Sequence, residues 1–281
     1  GLQDIPKQLY ESTEIDGALL TNDKQIPTPN LRSIFSFRQV GGLFTLATGR
    51  SYTESKRYIN QLDLDLPVIL CNGAILFEPA TQKLNPISTL EDDLLHSILK
   101  EMRQLNTAVD LFVYTLDTFY ATHVSPLAQK GMDSDDFRVE WISSFDRLPK
   151  LPWIKIVAVA DHEDMHQLQQ WSAQSDFPVE FVQSSDHYFE VLPQGVSKGA
   201  AVKKLAENLD LDLSQTATIG DHCNDLSMIR VAGLSAAVSN AHPELLQAAK
   251  VIVPSNNESG VSYFIRNYLL NAVQTVRKAK P

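Results

Sequence analysis

The sequence has no long apolar run and no excess of positive charge, and each shortage excludes a class of protein. Even the apolar stretch WIKIVAVAD reaches a charged residue within ten positions, whereas a membrane span needs roughly 18 apolar residues. The 24 Lys and Arg residues face 34 Asp and Glu residues, so the formal charge is −10. That charge opposes a nucleic-acid backbone or an anionic membrane. We therefore expect a soluble protein without nucleic-acid or membrane partners.

Cysteine is also scarce, because Cys71 and Cys223 are the only two in 281 residues. Two cysteines cannot form a disulfide framework, and no signal-like segment opens the sequence. These features predict a cytoplasmic location. Repeats, low-complexity tracts and flexible linkers are absent too, and the length corresponds to about two domains. The oligomeric state stays open.

Short apolar runs that end beside a glycine predict buried parallel strands at 44–48 and 68–72, with a crossover helix between them. The same alternation returns near the C-terminal end, from GAAVKKLAENLDL through strands TATIGD, LSAAV and VIV to a closing helix over SYFIRNYLLNAVQTVRKA. The pattern predicts an α/β fold, in which a Rossmannoid three-layer core is built on a mainly parallel sheet.

The middle of the chain has a different pattern. EDDLLHSILKEMRQL is an amphipathic helix, and LFVYTLDTFYATH alternates as an antiparallel strand pair does. We therefore predict an α+β domain at 80–189, inserted into a core formed by 1–79 and 190–281. Phe112, Tyr114, Trp153 and Trp171 are expected in the core of this insert.

Carboxylates stand where predicted strands end. Glu14 and Asp16 are two residues apart, so on an extended strand both project to one side. Asp221 and Asp225 follow the strand TATIG, again at the carboxyl edge where open α/β sheets bind ligands. Hard oxygen donors in this number suit Mg²⁺.

Two further elements suit a phosphate group. Thr48 and Gly49 follow the strand FTLA and offer a hydroxyl group and backbone N–H groups. Lys198 opens a predicted helix and offers a fixed positive charge. Arg50 has two possible roles, since it could anchor a phosphate or pair with an acidic neighbour.

In this order the motifs resemble the haloacid dehalogenase superfamily, in particular the Cof-like phosphatases. EIDGA at 14–18 is similar to the family's Asp-x-Asp-Gly-Thr, Thr48 to its second motif, Lys198 to its third, and GDHCND at 220–225 to its fourth. CNGA, with Asn72 and Gly73, is similar to the family's Asn-Gly at the substrate edge. The resemblance implies a core with a large inserted cap of the C2 type, and an active site in the cleft between them.

The resemblance also implies the chemistry. A carboxylate at position 14 would attack a phosphomonoester, Asp16 would act as acid and base, and Mg²⁺ would offset the phosphate charge. Metal ligands would come from Glu14, Asp16, Asp221 and Asp225. Substrate-binding residues would be Gly17, Thr48, Gly49, Arg50, Asn72, Gly73, Lys198 and Asn224. The implied substrates are small phosphorylated metabolites, sugar phosphates first.

The first motif departs from the family pattern. Glu14 stands where the nucleophilic Asp is expected, and its extra methylene moves the carboxylate by about a bond length, enough to disturb in-line attack. Ala18 replaces a Thr, and the preceding strand carries polar Glu11 and Ser12. We expect weakened turnover, and a catalytically inactive phosphometabolite-binding or regulatory protein stays open as the alternative.

Two other motifs suggest different chemistry. HEDMH, from His162 to His166, matches the zinc-peptidase pattern, but Asp161 before it predicts an ordinary helix start and no third ligand stands out. GVSKG, around Ser197, matches a nucleophile elbow, although its turn is longer than an elbow requires. We predict neither zinc-dependent nor serine-dependent hydrolysis.

Overall fold

The computed structural model describes residues 10–105, 107–132 and 139–270. Helices and strands alternate through most of these ranges. The strands are β1 (Tyr10–Thr13), β2 (Leu43–Leu46), β3 (Val68–Leu70), β4 (Ile75–Glu78), β5 (Lys83–Pro86), β6 (Asp110–Tyr114), β7 (Phe119–Ala121), β8 (Val139–Trp141), β9 (Lys155–Val159), β10 (Val179–Gln183), β11 (Tyr188–Pro193), β12 (Thr216–Gly220), β13 (Leu234–Val238) and β14 (Val251–Val253). The α-helices are α1 (Thr28–Gln39), α2 (Tyr52–Leu62), α3 (Asp92–Gln104), α4 (Pro126–Met132), α5 (His162–Gln174), α6 (Lys198–Asn208), α7 (Leu226–Val231), α8 (Pro243–Ala248) and α9 (Gly260–Phe264).

Five strands form a parallel sheet in the order β14-β13-β12-β1-β2. Strand β3 extends it beside β2 through one parallel bridge between Ala47 and Ile69. Apolar side chains of α1 and α9 cover one face of the sheet, and those of α6 and α7 cover the other. This three-layer arrangement confirms the predicted α/β core.

The crossover helix predicted between β2 and β3 is α2. It begins after Ser51, whose hydroxyl group accepts the N–H of Glu54 while the Glu54 carboxylate accepts the N–H of Ser51. The strand predicted at 68–72 is shorter than expected. It ends at Leu70 because Cys71 and Asn72 turn the chain with φ values of 49° and 55°.

A second sheet has six strands in the order β10-β11-β9-β6-β7-β8, antiparallel except between β7 and β8. Helices α3 and α5 pack on it around the fully buried Trp153. The middle of the chain thus forms an α+β unit, in agreement with the predicted fold class. Both predicted boundaries fall within paired elements, because the β4–β5 hairpin spans residue 80 and β11 stays in the second sheet through Pro193.

The closing helix is described only in part. Helix α9 continues into a wider π-type turn at Ile265–Leu269, and the predicted remainder beyond residue 270 lies outside the described residues. Within the described ranges, no helix combines the length and apolarity that crossing a bilayer requires.

The central strand β1 buries a carboxyl group that the site does not use. Glu11 is fully buried, and Oε1 accepts a hydrogen bond of 3.0 Å from the Thr13 hydroxyl group. Its other oxygen has no partner among the described residues. Burial raises the pKa of Glu11 to about 8, so the folded protein keeps this group protonated at neutral pH.

Glu11→Gln should therefore stabilise the protein, and more so at high pH. Between about pH 4.5 and 8 the unfolded chain loses this proton while the folded chain keeps it, so rising pH favours unfolding. The variant lacks that penalty, and its advantage in free energy of unfolding should grow by a few kcal/mol from pH 5 to pH 9. Urea unfolding at both pH values measures this, and an advantage independent of pH would contradict it.

Candidate active site

Functional side chains collect at the carboxyl edge of the parallel sheet. Glu14 follows β1, Thr48 follows β2 by two residues, and Asp221 follows β12 directly. Because these strands are parallel neighbours, their ends deliver the three side chains to one place. The sequence segments that carry them are more than 200 residues apart at the extreme.

Lys198 holds two of the carboxylates together. Its side chain, at the first residue of α6, is fully buried and donates to Glu14 Oε2 and, at 2.7 Å, to Asp225 Oδ1. Burial alone would lower its pKa, but Asp225 and Glu14 raise it above the ordinary range, so the ammonium group stays charged. Lys198 is thus the counter-ion of the sheet edge.

Both oxygens of the Glu14 carboxylate accept hydrogen bonds in this arrangement. Its Oε1 accepts the Asp16 N–H at 3.3 Å and the Thr48 hydroxyl at 3.2 Å, while Oε2 accepts from Lys198. Burial raises the pKa of Glu14 to about 7, against the opposing charge of Lys198. The Glu14 carboxylate is therefore held by three donors from the described part of the chain.

Asp16 has cations on both oxygens. Arg50 Nε lies 2.8 Å from Oδ2 and Arg50 Nη2 2.7 Å from Oδ1, and Lys24 Nζ is also 2.8 Å from Oδ1. Burial works against ionisation, but the hydrogen bonds and charge of Arg50, then of Lys24, hold the pKa of Asp16 well below its ordinary value. Of the two roles open for Arg50, this structure shows the pairing with an acidic neighbour.

Asp221 is the carboxylate without a cation. No described residue donates a hydrogen bond to its side chain, which faces the cavity. Burial, then the charges of Asp225 and Glu14, raise its pKa well above the ordinary value. Gly17 makes room for it, since a Cβ atom there would lie 1.8 Å from Asp221 Oδ2.

These groups fit a magnesium ion. Within the described ranges no three His, Cys, Asp or Glu side chains converge closely enough to hold a metal by themselves. Mg²⁺, however, commonly takes one or two carboxylates and keeps several waters. A buried carboxylate that forms no ion pair with a described residue, such as Asp221, is what a divalent cation would compensate, and Glu14 is near enough for its charge to raise the pKa of Asp221.

Asp225 has a different part. Its Oδ2 accepts the N–H groups of Asp221 at 2.8 Å and of His222 at 3.2 Å, and its Oδ1 accepts from Lys198. All its described bonds therefore fix the fourth motif and the lysine. Gly220 must be small here, because a Cβ atom would lie 2.4 Å from Asp225 Oδ2.

The remaining predicted substrate residues separate into two groups. Gly49 and Asn224 line the cavity, and Asn224 Nδ2 donates to Asn72 Oδ1 at 3.0 Å. Gly73, in contrast, turns the chain with φ 101°, and a Cβ atom there would lie 2.5 Å from the Ser197 carbonyl oxygen. The structure therefore explains Gly73 by backbone packing.

A cavity of about 650 Å³ lies between the two sheets, with the carboxylates at its floor. Sequence reasoning missed five charged residues in its walls, which are Lys24, Glu54, Lys130, Lys155 and Glu190. Phe112 and Tyr114, predicted in the core, are buried but also line the cavity. For Lys155 and Glu190 the sequence does contain a signal, which is a charged residue inside an otherwise apolar strand, as in IKIVAVA and YFEVLP.

The two competing motifs have structural explanations. Helix α5 begins at His162, and the side chain of Asp161 accepts the Asp164 N–H at 2.9 Å as its N-cap. Ser197 caps α6 in the same way, accepting the Ala200 N–H at 3.1 Å. Both stretches are helix starts.

Comparison with known proteins agrees with this geometry. A model of the haloacid dehalogenase-like hydrolases matches residues 12–265. The chain belongs to this family. It is 30% identical over 278 residues to a protein of Streptococcus pyogenes serotype M6 named as a candidate phosphatase, covering 92% of this chain and 98% of that one.

Two further relatives extend the comparison. An HMP-PP phosphatase of Yersinia enterocolitica is 26% identical over 259 residues, covering 91% of this chain and 93% of that protein. A solved structure of a subclass IIB sugar phosphatase of the haloacid dehalogenase superfamily aligns with a TM-score of 0.81 at 17% identity, covering 92% and 98% of the two chains. At the level of the family, this haloacid dehalogenase-like hydrolase is a phosphatase.

Arg50→Met should raise the pKa of Asp16 by about one unit or more, because it removes the better-buried of the two cations. Lys24→Met is the matched control. Its side chain is 43% exposed, against 10% for Arg50, so its removal should shift the pKa less. Carbon-13 NMR titration of the aspartate carboxyl groups measures both, and a larger shift in the Lys24 variant would contradict the assignment.

Proposed function

We propose that the chain is a Mg²⁺-dependent phosphomonoester hydrolase of small phosphorylated metabolites. The observation that carries the proposal is the meeting of Glu14, Asp16 and Asp221 at the floor of one cavity, with the fully buried Lys198 bound to Glu14. Two carboxylates, one buried ammonium group and one carboxylate that lacks a counter-ion are the parts that phosphoryl transfer through a carboxylate requires.

In this proposal Asp221, Glu14 and the main-chain carbonyl of Asp16 hold Mg²⁺, which supplies charge compensation for the phosphate. The Gly49 N–H and the charge of Lys198 orient the phosphoryl oxygens, and Thr48 holds Glu14 through its hydroxyl group. Glu14 occupies the position of the attacking carboxylate. Asp225 keeps Lys198 in place and does not itself need a free oxygen.

Asp16 is proposed as acid and base, and its surroundings favour the base form. Since Arg50 and Lys24 keep its pKa low, it is ready to take a proton from water but poorly able to protonate a leaving alcohol. Substrates whose leaving groups need no proton should therefore react more readily than alkyl phosphates.

The surroundings of Glu14 support the prediction of weakened turnover. The longer side chain reaches Lys198 and Thr48, and burial raises its pKa to about 7, which favours the protonated form that cannot attack phosphorus. The same observations keep the alternative open, in which the protein binds phosphometabolites without hydrolysing them.

The substrate class follows from the cavity. Its volume suits a small metabolite, and its wall combines charged groups with the rings of Phe112, Tyr114 and Tyr188. Sugar phosphates are the first candidates, in keeping with the sugar phosphatase of similar fold. The aromatic wall also favours a flat ring in the leaving group, and HMP-PP, the substrate named for the Yersinia relative, is a further candidate.

Two structural proposals accompany this function. The inserted cap, predicted at 80–189, would extend from the end of the β4–β5 hairpin to Pro193, leaving the parallel sheet and its helices as the core. The free thiols of Cys71 and Cys223 are consistent with a reducing compartment, and we propose the cytoplasm.

Phosphate release from an aryl phosphate, an alkyl phosphate and a set of sugar phosphates tests the function. With Mg²⁺, the unmodified chain should release phosphate slowly, faster from the aryl than from the alkyl ester, and chelation should stop it. Tight binding of a phosphometabolite without any release would favour the alternative.

The double variant Glu14→Asp plus Ala18→Thr tests the impairment. It should raise the rate on the aryl phosphate about a hundredfold, because a displacement near 1 Å costs about that much in a positioned reaction. Ala18 is fully buried, so Glu14→Asp alone is measured too, together with the melting temperature of each variant. If the unmodified chain already hydrolyses the aryl phosphate as fast as both variants, the predicted impairment is wrong.

A further inference from the structure

The cavity wall contains a buried ion pair that the proposed chemistry leaves without a role. Lys155 begins β9 and Glu190 lies on the neighbouring β11, each only 3% exposed. Lys155 Nζ donates to Glu190 Oε2 at 2.6 Å. Two apolar residues would serve the stability of the second sheet about as well, since a buried ion pair recovers little more than its own desolvation cost.

The second bond of Lys155 leaves its own sheet. Its ammonium group donates to the carbonyl oxygen of Gly49 at 2.8 Å, in the loop that follows β2 of the parallel sheet. The same ammonium group lies 4.7 Å from the centre of the Tyr114 ring. The cap thus places a charged donor directly on the backbone of the core's second motif.

The peptide group between Gly49 and Arg50 is consequently held at both ends. Its carbonyl accepts from Lys155, and its N–H donates to Thr48 Oγ1 at 3.2 Å. The Thr48 hydroxyl group donates in turn to Glu14 Oε1 at 3.2 Å. Hydrogen bonds therefore run without a break from Glu190 in the cap to the carboxylate in the nucleophile position.

We propose that Lys155, oriented by Glu190, is a positioning residue. Through its bond to Gly49, both Thr48 and Glu14 are correctly placed only while the cap is packed against the core. The inference rests on the proposed phosphatase function for its kinetic consequence, although the structural consequence is independent of it. When the cap moves away, the peptide group loses its carbonyl partner and the Thr48 hydroxyl group loses a fixed neighbour. A displacement near 1 Å in such a loop costs about a hundredfold in rate.

Lys155→Met tests the proposal, with Lys155→Arg as the conservative variant and Asp110→Asn as the matched control. Asp110 is buried in the same sheet, but it binds Ser125 and makes no described contact with Gly49. Using an aryl phosphate, we expect Lys155→Met to lower kcat at least tenfold while KM changes less than threefold. Lys155→Arg should recover part of the loss, and Asp110→Asn should keep kcat within twofold.

Thr48→Val, alone and combined with Lys155→Met, shows whether the two residues act through one chain of bonds. Coupled residues give a double variant hardly slower than the worse single variant, whereas independent residues give the product of both losses. Independent losses, or an unchanged kcat in a folded Lys155→Met protein, would overturn the proposal.

Crystal structures of Lys155→Met and Asp110→Asn separate this proposal from the proposed function. If the unmodified chain releases no phosphate, the phosphatase assignment fails, but the positioning role is still decided by the Gly49–Arg50 peptide group. Rotation of this group with loss of the Arg50 N–H bond to Thr48 in the Lys155 variant alone would support the role. An unmoved peptide group would overturn it.

Discussion

The site depends on one ammonium group, that of Lys198, enclosed between Glu14 and Asp225. Four carboxylates at a buried sheet edge would repel one another, and each would raise the pKa of the others. Lys198 neutralises part of that charge and joins three segments of the chain that are distant in sequence. Asp221 forms no ion pair with a described residue, and this imbalance is the physical reason to expect a divalent ion beside it.

The predicted fold followed from patterns that are local in the sequence. Buried strands next to glycines, a capped crossover helix and the change of pattern in the middle are all set by neighbouring residues. The boundaries of the inserted domain are harder to predict from the sequence. The pairing of Lys83–Pro86 with β4 and of Tyr188–Pro193 with the second sheet is decided by tertiary contacts. The polar character of β1 was visible, but its consequence, a protonated Glu11, required the burial that only the fold shows.

At the site, the sequence indicated which residues meet but not how they pair. It grouped Glu14, Asp16, Lys198 and Asp221 through motif order, and in the structure Glu14 and Asp221 follow neighbouring strands while Lys198 binds Glu14. It did not show that Arg50 binds Asp16. Lys155 and Glu190 escaped notice because a single charge in an apolar strand has no partner in the sequence, whereas in the structure two such strands lie side by side.

A crystal soaked in Mn²⁺, a heavier substitute for Mg²⁺, is the sharpest test of a cation site beside Asp221, because the anomalous signal of Mn²⁺ locates the ion without reference to activity. We expect one peak within ligand distance of the Asp221 and Glu14 carboxylates, with Lys198 still between Glu14 and Asp225. The peak should vanish in Asp221→Asn. A peak elsewhere, no peak at saturating Mn²⁺, or a peak that survives this substitution would contradict the account.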